Sequence, residues 1–335
     1  MTSIRSALIA TLADGAVHSG SDLARRLACS RTAVWKHLNE LKAIGLEIDA
    51  HRGIGYRLRQ PLELLDERAI RRGLLPGVGA ALSRLEIHDC IESTSERLHA
   101  LPAPEAERFA AVLAEYQTGG RGRRGRRWLS PFGSGLCLSV NWWLERVPAT
   151  LSALSLAVGV GVCRALNADV PRPVGLKWPN DVMAGAGKLG GLLVDVQGET
   201  DGPIAVVVGI GLNIDVSAET ASRVSGTGGL PPVGLRGLTP GTEPSRNRLA
   251  AQIINAMHGV LAEFGRNGFG AFVAEWRRYD RLDGRPVTVR TGQQERAGIA
   301  RGIADDGALL VEADGKMERL MAGEVSLRPG HTGKI

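Results

Sequence analysis

The sequence predicts an α+β protein of three domains: an N-terminal winged helix-turn-helix, a central α/β domain built on a mixed sheet, and a small C-terminal β-barrel. Three observations predict this fold class. Short helical patterns open the chain, apolar strands alternate with helices from about residue 85, and short strands with glycine turns follow Asp280. A chain of 335 residues is long enough for several separate cores. We place the boundaries at residues 1–60, a linker with a short helix at 61–84, and further domains at 85–279 and 280–335.

The N-terminal domain is predicted from helical periodicity and capping residues. Residues 3–13 predict one helix, and SGSDLARRLACSRTAVWKHLNELKAIG predicts two more, joined by a short turn. Ser21 and Ser30 are candidate N-caps, and Gly45 is placed to end the last helix. The inward stripe of that helix is Val34, Leu38 and Leu41. The stretch LEIDAHRGIGYRLR then predicts a two-stranded wing that turns at Arg52–Gly53.

The exposed face of the last of these helices indicates DNA binding. It carries Arg31, Thr32, Trp35, Lys36 and Asn39. A recognition helix needs such cationic and hydrogen-bonding groups to meet phosphates and base edges. Residues 1–60 contain nine Lys/Arg and five Asp/Glu, a net of +4 out of +6 for the chain. The alternative is a solvated three-helix bundle packed on the rest of the protein, but the order of elements and the charge favour DNA binding.

The composition argues against secreted, membrane and metal-dependent classes. Hydrophobic content of 44% and charged content of 23% are ordinary for a globular protein. There is no signal-peptide pattern at the start, and the most apolar run is too short and broken to span a bilayer. The four cysteines form no CxxC pair, which predicts reduced thiols in a cytoplasmic protein. The histidines form no metal-ligand spacing, so we expect no metal held by the protein alone.

The central and C-terminal elements are predicted as follows. Strands are expected in LEIHDCIEST, RFAAVLAEYQ and LCLSVNWWL, a helix in LSALSLAVGVGVCRAL, and a strand, turn and hairpin in VGLKWPNDVMAGAGKLGGLLVDVQ. PIAVVVGIGLNID predicts a buried strand, and RNRLAAQIINAMHGVLAEFG predicts a helix. Residues 225–245 are rich in Gly and Pro and predict a long mobile loop. Turns at Thr291–Gly292, Asp306–Gly307 and Asp314–Gly315 divide the C-terminal barrel.

Residues 119–128, GGRGRRGRRW, place five arginines within seven positions; we call this segment the arginine loop. It matches the GxGxxG pattern of dinucleotide-binding turns, but Pro131 and Gly133 forbid the helix which that site requires. A nucleic-acid arm of this kind is usually long, terminal and repetitive, whereas this is one short loop between two strands. A solvated charge run is the remaining alternative. The composition favours a loop that wraps a compact phosphate and is disordered until the ligand binds.

Three further strand ends carry polar residues that suit a ligand. KWPND (177–181) presents a lysine and a rigid turn, although alone it is more typical of a structural turn. GKLGG (187–191) resembles a phosphate-binding P-loop, which Val182 and Leu189 rule out, so Lys188 is predicted as a single charge aimed at a ligand. GIGLN (209–213) ends a buried strand at Asn213 and predicts a ligand lying against backbone. Together these strand ends predict one cavity.

The motifs ESTS (92–95), EYQTGGRGRRGRRW (115–128), LKWPND (176–181), GKLGG and GIGLN, in this order, resemble those of biotin protein ligases. With the winged helix, the resemblance is to the bifunctional type that also represses the biotin operon, and it implies an SH3-like C-terminal barrel. It implies an enzyme that joins biotin and ATP as biotinyl-5′-AMP, with Mg²⁺, and transfers biotin to a lysine of biotin carboxyl carrier protein. Operator DNA and a homodimer formed on adenylate binding are implied as partners. Two other functions remain open: a ligand-sensing transcription factor without turnover, and a lipoate or octanoate ligase.

The resemblance also implies residue roles. The residues implied to bind biotin are Ser93, Thr94, Ser95, Gln117, Arg121, Gly122, Arg123 and Lys188, of which Arg121, Arg123 and Lys188 are implied to be catalytic. Asn180, Asn213 and Arg328 are implied on the ATP side, and a loop near 215–230 over the adenine. Ser95 stands where the family usually has Asn; losing one buried hydrogen bond would weaken biotin binding by about 0.5–1.5 kcal/mol.

Overall fold

The computed structural model describes residues 4–168, 173–198, 202–226, 229–239, 241, 244–291 and 294–321, and the backbone of 326–329. Within that part of the chain, no helix is both long and apolar enough to cross a membrane.

The N-terminal domain is the predicted winged helix-turn-helix. Its elements are α1 Ile4–Leu12, α2 Gly20–Arg26, α3 Arg31–Ala43, β1 Ile48–His51 and β2 Gly55–Leu58. Ser30 caps α3 by accepting a 3.1 Å hydrogen bond from the Ala33 amide, and Gly45 ends it with a φ of +96°. The predicted cap of α2 is wrong: Ser19 accepts from the Asp22 amide at 3.0 Å, because α2 begins at Gly20 and Ser21 lies inside its first turn.

The core of this domain extends beyond residue 60. Leu8, Leu12, Leu23, Leu38 and Leu41 are fully or almost fully buried in it. Phe132, from the segment after the arginine loop, belongs to the same core, and its amide donates a 3.0 Å hydrogen bond to the carbonyl of Ile44 at the end of α3. A Cβ on Gly45 would lie 2.6 Å from the Pro131 side chain, so α3 ends in direct contact with Pro131 and Phe132.

The central domain is built on a seven-stranded mixed sheet. Its helices and strands in chain order are α4 Glu67–Arg72, α5 Pro76–Ala81, β3 Leu82–His88, α6 Thr94–His99, β4 Phe109–Ala114, β5 Gly135–Leu144, α7 Leu154–Asn167, β6 Gly175–Lys177, β7 Asp181–Ala184, β8 Gly187–Gly198, β9 Ile204–Asn213, α8 Ala218–Gly226, α9 Arg246–Asn267 and α10 Val273–Tyr279. The strand order is β3-β4-β5-β9-β8-β7-β6, with β3 and β4 parallel and the other neighbours antiparallel. The predicted strands and long helices are therefore present.

Side-chain alternation in β9 separates the two faces of this sheet. Val206, Val208, Ile210 and Leu212 pack in the main core with α7 and α9. The residues between them face the other way, because successive residues of a strand point to opposite faces. Gly209, Gly211 and Asn213 therefore lie on the face away from α7 and α9, and this is where the site described below is built.

Two connections differ from expectation. The linker contains a second helix, α5, which begins with Pro76 at its first turn. The long loop predicted over 225–245 contains, in its described part, the end of α8 and a 3-10 turn at Leu235–Leu238. The Lys188 amide donates to the carbonyl of Pro231 at 2.8 Å and its carbonyl accepts from Val233 at 3.0 Å, so this segment lies along the start of β8.

The C-terminal domain is a five-stranded antiparallel sheet in the order β13-β12-β11-β10-β14. Its strands are β10 Pro286–Thr291, β11 Gln294–Ile303, β12 Leu309–Ala313, β13 Lys316–Leu320 and β14 Ser326–Pro329. Gly307 and Gly315 form two predicted turns with φ of +86° and +72°, whereas Gly292 of the third turn lies outside the described residues. The Trp178 indole donates to the Gly307 carbonyl at 3.1 Å and joins this sheet to the central domain.

Candidate active site

A cavity of about 730 Å³ opens on the face of the central sheet away from α7 and α9. Its lining includes ten residues predicted from the sequence, namely Ser93, Thr94, Ser95, Gln117, Arg121, Gly122, Arg123, Asn180, Lys188 and Asn213. The structure thus brings the four polar strand ends to one place. Arg328 lies in β14, where its backbone is paired with Thr288, and its side chain is outside the described part of the structure.

The arginine loop forms a hairpin over this cavity. The Gly122 amide donates to the Arg126 carbonyl at 2.7 Å, and the Trp128 amide donates to the Gly120 carbonyl at 2.9 Å. The tip contains one 3-10 turn at Arg123–Gly125, with Arg124 at a φ of +58°. Residues 119–134 are all described and no α-helix begins among them, so the dinucleotide-turn interpretation stays rejected.

Two arginines of the hairpin point into the site. Arg121 forms an ion pair with Glu96 of α6, at 2.9 Å between Nη1 and Oε1. Arg123 is half-buried, and its Nη1 lies 3.5 Å from Oδ1 of Asn180. Burial, and then the neighbouring charge of Arg124, lower the pKa of Arg123, although a guanidinium stays protonated throughout the physiological range. The site therefore holds a partly desolvated positive charge.

Lys188 forms a triad with the buried residues Asp181 and Lys177, which sequence reasoning missed in part. Its Nζ lies 2.5 Å from Oδ1 of Asp181, and Nζ of Lys177 lies 2.9 Å from Oδ2 of the same carboxylate. Burial opposes ionisation of Asp181, but the two ammonium groups outweigh it and hold its pKa at about 2. The signal for this triad was visible as Lys177 and Asp181 at the two ends of KWPND, facing each other across a tight turn.

The indole of Trp128 occupies the space beside two glycines, Gly191 of GKLGG and Gly211 of GIGLN. Its indole packs on Gly211 and Gly191, and a Cβ on Gly211 would lie 2.5 Å from the ring. The ammonium of Lys188 lies 5.8 Å from the ring centroid, within the range of a cation–π contact. The indole, Gly209 and Gly211 all line the cavity, so the expectation that a ligand lies against the backbone of GIGLN stays a prediction.

A cluster of hydroxyl and amide groups lies in the same cavity. The Thr94 amide donates to Oε1 of Gln117 at 2.8 Å, and the hydroxyls of Thr94 and Ser95 lie 2.7 and 3.0 Å from that of Ser139. Ser139 was not predicted, because a lone serine in an apolar strand carries no signal of its own. Ser93 caps α6 by accepting from the Glu96 amide at 3.4 Å, which fixes the position of Thr94 and Ser95.

The two asparagines hold backbone as well as line the cavity. Nδ2 of Asn180 donates to the Leu192 carbonyl at 2.8 Å, and Nδ2 of Asn213 donates to the Lys188 carbonyl at 3.2 Å. Thr220 and Arg223 of α8 also line the cavity, so the segment predicted near 215–230 does lie over the site.

The second predicted surface lies on α3. Arg31, Thr32, Trp35, Lys36 and Asn39 are all exposed, with Trp35 at 59%, while Val34, Leu38 and Leu41 are buried. The face thus presents cationic, hydrogen-bonding and aromatic groups side by side, as a helix that contacts phosphates and base edges requires. The exposed face agrees with the predicted recognition helix.

Comparison with known proteins gives three family matches along the chain. The Biotin/lipoate A/B protein ligase family matches residues 87–214, an HTH domain matches 5–57, and the Biotin protein ligase C terminal domain matches 284–328. Each matched region falls in one of the three domains described above.

Full-length relatives and solved structures agree with these matches. The chain is 38% identical to the bifunctional ligase/repressor BirA of Salmonella typhimurium, over 98% of either chain. It is 35% identical to the biotin–[acetyl-CoA-carboxylase] ligase of Mycobacterium tuberculosis, over 80% of this chain and 97% of that protein. The structure of the biotin protein ligase of Aquifex aeolicus in complex with biotin and ATP superposes with a TM-score of 0.61 at 27% identity, covering 74% of this chain and 100% of that one.

Proposed function

The chain belongs to the family of bifunctional biotin protein ligases and repressors, and from that premise we propose how its residues carry out the reaction. The cavity activates biotin with ATP as biotinyl-5′-AMP and passes the biotinyl group to a lysine of biotin carboxyl carrier protein. One observation carries the proposal: Arg121, Arg123 and Lys188 converge on the cavity that also holds the hydroxyl cluster. The cationic side chains bind the carboxylate of biotin and the phosphates of ATP, and the neutral hydroxyl and amide groups bind the ureido ring of biotin.

In the first step, a carboxylate oxygen of biotin forms a bond to the α-phosphorus of ATP. The bond from that phosphorus to the oxygen leading to the β-phosphate breaks, and pyrophosphate leaves with the electron pair. Negative charge gathers on the phosphate oxygens in the transition state, and fixed donors at that point stabilise it. Arg121, Arg123 and Lys188 are catalytic in this step, and Arg121 and Gly122 also hold the biotin carboxylate and the phosphate.

In the second step, the neutral amine of the carrier lysine attacks the biotinyl carbon of the adenylate. The bond from that carbon to the phosphate oxygen breaks, AMP leaves, and the amine releases a proton to solvent. The mixed anhydride must be kept from water until then, and closure of a loop supplies such protection. The structure describes the arginine loop as a hydrogen-bonded hairpin, so its ordering on the ligand stays a prediction. Arg124, Arg126 and Arg127 are exposed on this hairpin, where their side chains can close over the adenylate.

The hydroxyl cluster favours biotin over lipoate. A ureido ring offers two N–H donors and one carbonyl acceptor, which Ser93, Thr94, Ser95 and Gln117 match, with Ser139 beside them. The sulfur ring of lipoate offers neither these donors nor this acceptor, so it could not make the hydrogen bonds that the ureido ring makes with the cluster. Asn180, Asn213 and Arg328 are assigned to the ATP side, where α8 covers the adenine.

Mg²⁺ accompanies ATP in this proposal rather than residing in the protein. Two of the carboxylates that line the described cavity are already paired with cations: Glu96 with Arg121, and Asp181 with two lysines. No group of three or more metal-ligating side chains occurs among the described residues. Magnesium commonly binds in such sites through substrate phosphates, which fits its entry as the ATP complex.

Repression of the biotin operon is the second function we propose. Arg31, Thr32, Trp35 and Lys36 of α3 would meet the operator. A homodimer formed after adenylate binding is supported by β8: within the described residues, its pairing with β7 stops at Gly191, which leaves one edge of 193–198 open. Unpaired edges are ready templates for strand pairing. The free cysteines Cys29, Cys90, Cys137 and Cys163 support a cytoplasmic location.

Exchange of labelled pyrophosphate into ATP tests the first step, run with biotin, with lipoate and with neither. Biotin-dependent exchange is expected. Exchange that depends on lipoate would move the protein to the lipoate ligases. A folded protein that shows no exchange with either acid would be a sensor rather than an enzyme.

A further inference from the structure

Arg246, the first residue of α9, is almost completely buried at the base of the arginine loop. Its side chain is 3% exposed, and Nη2 forms an ion pair with Oε2 of Glu115 at 2.6 Å; the Glu115 side chain is 2% exposed. Nothing in the proposed reaction uses either charge. The free energy lost by desolvating two buried charges is about as large as the attraction between them. A buried ion pair therefore adds little net stability, and another role is expected for it.

The guanidinium contacts both ends of the segment that carries the arginine loop. Glu115 directly follows β4, and Gly135 begins β5. Nε and Nη2 of Arg246 donate to the Gly135 carbonyl at 3.2 and 3.0 Å, while Nη2 also reaches Glu115. One side chain therefore ties together the two strand ends from which residues 116–134 extend.

The same two side chains also hold the linker from the winged helix. Nη1 of Arg246 donates to the Glu63 carbonyl at 2.8 Å, and Oε1 of Glu115 accepts from the Leu65 amide at 2.6 Å. Three separate segments thus meet on one guanidinium. The planar fork of arginine can serve several acceptors at fixed angles, whereas a lysine ammonium cannot reproduce that geometry.

We propose that Arg246, together with Glu115, is a positioning residue for the ligase reaction. By fixing the distance between the ends of β4 and β5, the pair sets where Gln117, Arg121 and Arg123 meet the adenylate. This rests on the proposed role of the arginine loop. Loosening the base of the loop shortens the time for which biotinyl-5′-AMP stays bound, because the loop then covers the adenylate in fewer of its conformations.

The test uses the full-length enzyme and follows loss of preformed biotinyl-5′-AMP without carrier protein. Arg246→Lys keeps the charge and removes the fork, and Glu115→Gln removes the ion pair while leaving an acceptor for the Leu65 amide. We expect the rate constant for adenylate loss to rise by roughly tenfold, since weaker binding appears mainly as faster dissociation. The amount of biotinyl-5′-AMP bound per folded molecule at the start of the assay should stay unchanged.

A matched control is the ion pair between Arg164 and Glu275, which joins α7 to α10 at 2.5 Å. The double variant Arg164→Met/Glu275→Gln is expected to lower the melting temperature without changing the rate constant. If Arg246→Lys and Glu115→Gln only lower the amount of bound adenylate or the melting temperature, the pair merely stabilises the fold and the proposal is overturned. Arg123→Ala run in parallel tests the loop itself: normal adenylate synthesis in that variant would reject the assignment on which the proposal rests.

Discussion

Replacing Asp181 by Asn removes one negative charge from between two lysines while keeping the shape of the side chain. Asp181 is 8% exposed and Lys177 is 6% exposed, so solvent cannot replace the lost partner. The pKa of Asp181 is lowered from 3.8 to about 2, and at about 1.4 kcal/mol for each pKa unit this corresponds to roughly 2–3 kcal/mol of folding free energy. We expect Asp181→Asn to cost at least that amount at pH 7, because it also leaves Lys177 as an uncompensated buried charge.

The pH dependence has a definite sign. A carboxyl group whose pKa is depressed in the folded state contributes stability above its unfolded pKa, and that stability is lost as the pH falls through the folded value. The difference between wild type and Asp181→Asn should therefore be largest above about pH 4 and shrink as the pH approaches 2. Urea unfolding followed by tryptophan fluorescence at several pH values measures it. Asp306→Asn, which loses a half-exposed pair with Arg319, is the control and should cost at most about 1 kcal/mol.

The result that would refute this reasoning is a destabilisation that does not change between pH 7 and pH 2.5. Such a result would mean that the cost comes from lost packing or hydrogen bonds, and that the two ammonium groups do not hold the carboxylate in its charged form. A cost below about 1 kcal/mol at pH 7 would equally contradict the buried position of the triad.

Three further predictions concern the loop, the tryptophan and the DNA-binding face. Arg123→Ala should leave folding intact and cut adenylate synthesis by about 10²-fold or more, measured by pyrophosphate exchange, and unchanged exchange would contradict the loop assignment. Gly211→Ala should displace Trp128 and cost about 1–3 kcal/mol in thermal unfolding, whereas Gly259→Ala, with open space around it, should not destabilise. Lys36→Ala should weaken operator binding and reduce its salt dependence by about one phosphate contact in a mobility-shift titration, with adenylate synthesis unchanged.

Much of the fold follows from local rules that leave a trace in the sequence. The winged helix is predictable because its signals are local. The apolar stripe of α3, its cap at Ser30 and its end at Gly45 each depend on residues within one or two helical turns. The error at Ser21 is of the same local kind, because Ser19 and Ser21 are both good caps and only packing decides which residue begins the helix.

The site was predicted as a set of motifs but not as a set of contacts. Each motif marks a strand end, and sheet topology then brings the strand ends together. The interactions of Trp128 with Gly211 and of Arg246 with Glu115 join residues that are far apart in the chain. Such pairings depend on the register of β5, β8 and β9, which a single sequence does not specify.

Phe132 makes the boundary between the first two domains a shared one. The side chain comes from the central domain, yet it is 4% exposed because the winged helix covers it, with Leu62 and Leu64 packed beside it. A chain cut after residue 60 would therefore present an apolar surface to water and would be prone to associate. A chimera with the DNA-binding domain of another repressor must therefore retain the apolar surface of the winged helix that packs on Phe132. The apolar surfaces of the two domains that meet at Phe132 must be complementary in any such chimera.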